Sequence, residues 1–165
     1  MSHPQTHGTG SSPAAREFPD IDEFAAATGT LLGHSSWVPI TQERVNTFAD
    51  ATDDHQWIHV DPDRAATGPF GRTVAHGYLT ASLIPRLSSE VYRVVGLSMR
   101  INYGSDKFRF PAPVPVGARV RAAVELLAVE TRPQGVLART RVTVEIEGSD
   151  KPACVAEILG LMVTD

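Results

Sequence analysis

Val74-Ala75-His76-Gly77-Tyr78-Leu79-Thr80-Ala81-Ser82-Leu83-Ile84-Pro85-Arg86-Leu87-Ser88-Ser89-Glu90-Val91-Tyr92 lies near the middle of the chain, and the architecture follows from it. Leu79, Leu83, Ile84 and Leu87 recur at helical spacing and form a broad apolar face, so it reads as the most buried helix of the chain. Pro85 removes one backbone donor and is expected to kink that helix or end its regular part. Beyond Gly96 the period changes from helical to alternating. Residues 97–103 and 108–110 read as one strand or a bent pair, and Pro111, Pro113 and Pro115 make a stiff turn that Gly117 closes. Residues 119–130, 135–147 and 153–163 follow as three long strands whose short connections suit antiparallel hairpins. The pattern predicts an α+β fold in which a curved antiparallel sheet covers one long central helix.

Working back from the helix, Gly68-Pro69-Phe70-Gly71 is a turn, and Asp61-Pro62 reads as a cap followed by proline at the first helical position of a short helix through Arg64, Ala65 and Ala66. Thr41 is a good N-cap. Glu43 sits in the first turn, where the dipole favours an acid, and Val45, Phe48 and Ala49 form a stripe, so a second helix should run from Thr41 to near Asp53. Residues 31–40 suit a first strand, and Ile21, Phe24 and Ala25 mark a short helix that Gly29 stops. Residues 1–17 are rich in Ser, Thr, Gly, His and Pro and are expected to be a disordered tail, with His3 and His7 part of a solvated leader. Residues 18–165 then form one domain without internal repeats.

The composition narrows the function. A net charge of −4, from 15 basic and 19 acidic residues, leaves no basic footprint for nucleic acid. The single cysteine, Cys154, is flanked by Ala153, Val155 and Ala156 and reads as a buried strand position in a reducing cytoplasm. No signal-peptide core and no run near the roughly 20 apolar residues of a membrane span are present, so a soluble cytoplasmic protein is expected.

Between the two short helices lies Asp53-Asp54-His55-Gln56-Trp57-Ile58-His59. Taken singly, Asp54 reads as an Asx-turn or helix-end residue, and His59 as a satisfied buried histidine. Together, ahead of the His76-Gly77 helix start, they form a candidate acid–base pair acting on a water. Asp53 and His55 are near alternatives that spacing alone does not exclude. A metal site from Asp53, Asp54, His55 and His59 is disfavoured, because no helical ligand pair with a second acid accompanies it. His76-Gly77 opens the buried helix, where unpaired N–H groups favour an anion, and glycine permits close approach.

Asp54-His55-Gln56-Trp57-Ile58-His59 with Ala75-His76-Gly77 resembles the signature of the MaoC-like, or hydratase 2, branch of the hot-dog superfamily: an Asp and a His five apart in a D-x-N-P-x-H segment, before an H-G helix. The resemblance covers about residues 31–163. Asn102-Tyr103-Gly104 and Phe108-Arg109-Phe110-Pro111 are similar to mycobacterial single-domain members and, through them, to nodulation protein N. Gln56-Trp57 stands where many members have Asn-Pro.

That resemblance implies a single hot-dog domain and an (R)-specific enoyl-CoA hydratase, which adds water to trans-2-enoyl-CoA without a cofactor to give (3R)-3-hydroxyacyl-CoA. It implies Asp54 as general base and acid and His59 as the residue orienting the water. It further implies the Gly77 N–H facing the thioester oxygen, with His76 orienting the loop or donating to that oxygen, and Ser82 supporting the catalytic carboxylate. Lys107, Arg109 and Arg86 are candidates for the CoA phosphates. A homodimer pairing edge to edge is expected, with the acyl tunnel near the interface. Dehydration of carrier-protein substrates, thioester hydrolysis and non-catalytic acyl-thioester binding are the competing readings, since the fold hosts several activities.

Overall fold

A computed structural model describes residues 14–164. In chain order they form β1 (Arg16–Phe18), α1 (Ile21–Ala26), β2 (Leu31–His34), β3 (Val38–Pro39), α2 (Gln42–Thr52), α3 (Trp57–Val60), α4 (Pro62–Ala66), α5 (Gly77–Ser82), α6 (Ile84–Val91), β4 (Tyr92–Val94), β5 (Leu97–Arg109), β6 (Arg119–Arg132), β7 (Gly135–Ile146) and β8 (Cys154–Thr164). Strands β2, β6, β7, β8 and β5 lie side by side in that order, all antiparallel, and β3 extends β2 along β6. The α5–α6 pair packs into the concave side of this sheet, the α+β hot-dog arrangement expected.

Alternation on the strands explains the layering. Val120, Ala122, Val124 and Leu126 of β6 are fully buried and meet Ile84, Leu87 and Val91 of α6 in one continuous core with Val142, Val144, Ala156 and Met162. Their sequence neighbours point outward and pair across strands: Arg121 with Glu145 at 2.6 Å and Arg141 with Glu125 at 2.9 Å. Such exposed pairs are worth about 0–1 kcal/mol each, so the apolar layer carries the stability.

Several expected boundaries moved for identifiable reasons. The tail expected over 1–17 lies mostly outside the described residues, but Arg16 and Glu17 belong to β1, which pairs in parallel with β4 and buries Phe18 between Phe24 and the core. The first strand is two strands, because beyond His34 the Ser35 hydroxyl accepts the Ala122 N–H in place of a strand carbonyl, and pairing with β6 resumes only at Val38. The central helix begins at Gly77 rather than Val74, and it breaks at Leu83. Pro85 falls in the first turn of α6, where a missing N–H costs nothing. Val74 is instead held extended by a bridge to Pro115, and the Ala75 N–H donates to Val114 at 2.8 Å. The proline-rich turn thus backs the segment that leads into α5.

Strand β5 is one edge of the sheet, and β2 with β3 is the other. The β5 edge is mostly exposed along its 13 residues, with Met99, Ile101 and Tyr103 bare on the surface.

Candidate active site

Two helix ends and one extended segment meet here. The last turn of α2 is closed by Asp53, which takes a left-handed φ of 57° and turns the chain toward Asp54. Asp54 is exposed. His59, expected between two helix ends, sits on the single turn of α3 and is buried. A ring nitrogen of His59 touches the Val74 carbonyl at 2.6 Å. A carbonyl only accepts, so this nitrogen, Nδ1, carries the proton and Nε2 holds the lone pair of the neutral ring. The His59 backbone is fixed as well: Gln42, at the start of α2, donates its amide to the His59 carbonyl at 2.7 Å and accepts from the Thr73 hydroxyl at 2.6 Å.

His76 joins the pair. Its Nε2 donates to the Asp54 carbonyl at 2.9 Å, and its ring stacks on that of His59 with centroids 3.8 Å apart and planes 27° apart. Phe48 packs against its other side. One carboxylate oxygen of Asp54 and one ring nitrogen each of His59 and His76 lie within 4.8 Å of one another. Burial pushes the His59 imidazole below the usual histidine value, outweighing the Val74 carbonyl, which pulls the other way. A neutral His59 beside a carboxylate can orient a water and share its proton.

The same three residue types could ligate a divalent ion. However, His59 and His76 each commit one nitrogen to a carbonyl, and the second nitrogen of His76, Nδ1, is enclosed without a partner. Stacked rings run their in-plane lone pairs side by side instead of converging on one point. The donor set fits a water better than an ion. Of the near alternatives, Asp53 serves as the left-handed cap, and His55 is exposed and turned to Asp50 at 2.8 Å, which raises its pKa.

Gly77 is the first residue of α5, whose opening N–H groups have no intrahelical acceptor. Glycine lets the Phe110 ring lie close there: a Cβ would stand 3.2 Å from it, and the ring would have to give way. Phe110, with Tyr78 and Phe108, begins a cleft of about 720 Å³ that runs between α5–α6 and β5 to Arg100 and Thr140. Asp54, His59 and Gly77 do not line it; Phe110, which packs against Gly77, does.

Other expected site residues are not gathered with the pair. Ser82 is exposed, and its hydroxyl donates one turn back to the Tyr78 carbonyl at 2.7 Å, so it does not hold the Asp54 carboxylate. Arg86 pairs with Glu90 at 3.1 Å and Lys107 with Glu157 at 2.9 Å. Arg109 donates to the Phe108 carbonyl at 2.7 Å. Trp57 faces away from the pair: Arg64 lies 4.4 Å over its ring, and Gly68 makes room beneath it. Gln42, Thr73 and Phe110 carry structural duties at the site that no local pattern announced.

A model of the MaoC-like domain matches residues 23–147. The chain belongs to the MaoC-like family. It is 60% identical over 143 residues to 3-hydroxyacyl-thioester dehydratase Z of Mycobacterium tuberculosis, covering 86% of this chain and 95% of that protein. It is 43% identical to nodulation protein N of Rhizobium leguminosarum bv. viciae, over 88% and 92% of the two chains. Among solved structures, the (R)-hydratase from A. caviae superposes with a TM-score of 0.67 at 28% identity, covering 81% of this chain and 95% of that one. The dehydratase and the (R)-hydratase are named for removing or adding water, and hydro-lyase chemistry is what the family brings to this site.

Proposed function

We propose that this MaoC-like protein is an (R)-specific enoyl-CoA hydratase working reversibly on trans-2-enoyl thioesters. The observation that carries the reading is the 4.8 Å grouping of the Asp54 carboxylate with the His59 and His76 nitrogens. A bridging water with two hydrogen bonds of about 2.8 Å spans a gap of that size. Asp54 draws the proton from this water as the oxygen attacks carbon 3, and the same carboxyl returns a proton to carbon 2. His59 holds the water through its Nε2 lone pair while the Val74 carbonyl locks its tautomer. The Gly77 N–H meets the enolate-like thioester oxygen, where a fixed donor stabilises developing charge. His76 acts as a positioning residue, tied to the Asp54 main chain and to the His59 ring. The (3R) configuration is drawn from the (R)-hydratase relative.

The name of the 60%-identical relative supports a second reading, in which the physiological direction is dehydration of a 3-hydroxyacyl thioester. The bare edge of β5, with Met99, Ile101 and Tyr103 exposed, supports a homodimer paired through that strand. With Arg86 and Lys107 in ion pairs, Arg109 is the stronger candidate for a CoA phosphate. No helix among the described residues is long and apolar enough to cross a membrane, in keeping with a cytoplasmic enzyme of acyl-CoA metabolism.

Loss of enoyl-thioester absorbance on adding protein to crotonyl-CoA tests the proposal, with Asp54→Asn and His59→Gln alongside and the product configuration assigned. Each variant is expected to lose roughly 10²–10⁴ in rate. Substrate that binds without turnover in the wild type refutes catalysis and favours an acyl-thioester binding protein.

A further inference from the structure

The cleft between α5–α6 and β5 changes character along its length. Near Gly77 its walls are Tyr78, Phe108 and Phe110. Along β5 the lining passes Ser105, level with Thr140 of β7, and reaches Asn102 and Arg100, with Ser88 on the helix. Ser88 and Thr140 are almost fully buried in the chain, yet they line this space. Gly77 and Ser88 are eleven residues apart on the bent helix, about 16 Å at helical rise.

Arg100 is held by an aromatic side chain and not by a carboxylate. Arg86, Arg121, Arg139 and Arg141 face carboxylates, whereas no ion pair among the described residues includes Arg100. Its guanidinium carbon lies 4.5 Å from the centroid of the Tyr92 ring, and one of its nitrogens donates to the Tyr92 hydroxyl. Tyr92 is itself 2% exposed and stacked on Phe24, so the ring under the guanidinium is anchored in the core. A planar cation fixed against a rigid aromatic face loses little further freedom on meeting a ligand and keeps donors free. The same cleft is lined by further donors, the Ser88 and Thr140 hydroxyls and the Asn102 amide. No Asp or Glu lines the cleft.

We propose that this end of the cleft is a carboxylate-binding site, and that the thioesters the protein favours carry a long acyl chain ending in a carboxylate. The inference rests on the hydratase reading for the identity of the thioester, and only for that. The apolar stretch by Phe108 and Phe110 takes the methylenes, and Arg100 takes the terminal anion with Ser88 or Asn102 donating beside it.

Calorimetry with two saturated acyl-CoA thioesters of equal length, one ending in a carboxylate and one in a methyl group, tests this on the wild type and on Arg100→Met. Methionine retains apolar cover over Tyr92. Wild type is expected to favour the carboxylate-ended thioester by about ten- to a hundredfold, as suits hydrogen bonds to a charged group, and the variant to bring that ratio close to one. Equal binding of the two by wild type, or binding of neither, overturns the proposal, as does a ratio that survives the substitution. Equal weakening of both thioesters in Arg100→Met assigns the cation to the CoA phosphates, and a variant found monomeric by light scattering assigns it to the subunit contact; either result also overturns it. Crotonyl-CoA turnover by the wild type is read beside these. Its absence with the ratio intact refutes hydration and leaves the carboxylate site standing.

Discussion

Replacing His76 with phenylalanine separates what that residue does for the fold from what it does for the reaction. The ring remains, able to stack on His59 at the observed 3.8 Å and to pack on Phe48. The donor to the Asp54 carbonyl is lost. An unpaired acceptor costs about 1–3 kcal/mol when it stays dry, but the exposure of Asp54 lets water reach it, which favours the low end. Against this, phenylalanine removes the enclosed, partnerless Nδ1, an existing cost of the same kind. The two nearly cancel, so stability is expected to change by no more than about 1 kcal/mol, or about 2–4 °C in Tm for a chain of this size. The rate should not cancel. With the Asp54 peptide untethered, the carboxylate leaves its place against the water, and misplacement of about 1 Å costs about 10²-fold. Steady-state hydration of an enoyl thioester should therefore show kcat down by about 10²-fold with KM held within about threefold, the pattern of an interaction used in the transition state. His76→Gln keeps an N–H and loses the ring, and is expected to recover part of kcat. A phenylalanine variant with wild-type kcat, or one that loses kcat only in proportion to its melting temperature, refutes the positioning role.

The pH dependence follows from His59. Burial sets its folded value below 6.5, so kcat/KM should hold as pH falls to 6.5 and be lost only as pH passes through that lowered value. Its stability contribution has the same sign, present above the unfolded value and lost as pH falls through the folded one. An acidic limb above 6.5 in the pH–rate profile, or one that persists in His59→Gln, contradicts this. Gly77→Ala brings a Cβ to 3.2 Å from Phe110 and should lower both activity and Tm, with Phe110→Leu restoring Tm in the double variant; a neutral single variant refutes the close approach. Burial pushes the Cys154 thiol up to about 11, so a thiol reagent at neutral pH should label it only on unfolding. Ile101→Lys on the bare edge strand should leave a monomer by light scattering, and an unchanged dimer shows that the subunits meet elsewhere.

The strands were legible because their signal is local. Val120, Ala122, Val124 and Leu126 alternate with Arg119, Arg121 and Glu125 in the sequence as they do across the sheet. The caps Thr41 and Asp61 work the same way, each accepting an N–H three residues on. Val74 and Ala75 misled because their apolar character suits a helix as well as a strand, and what decides is the pairing with Val114 and Pro115, some 40 residues away. The strand Arg16–Phe18 escaped notice because its partner, Tyr92–Val94, lies across the whole catalytic half of the chain.

The active site divides along the same line. Asp54, His59 and His76-Gly77 stand out because chemistry restricts their types and short spacing keeps them together. The supports do not stand out: Gln42 reaches the His59 carbonyl from 17 residues away, and Thr73 reaches Gln42 from 31. Any helix start can carry a glutamine and any loop a threonine, so only the folded chain distinguishes these two. The misplacement of Ser82 has the complementary cause. A helical serine has a competing acceptor always in reach, the carbonyl one turn back, and Ser82 takes it. His76 had no such local option at an N-cap, where no carbonyl of its own helix lies in reach. Its donor therefore went to Asp54, and with the His59–His76 stack this contact holds the central helix and the catalytic loop as a unit.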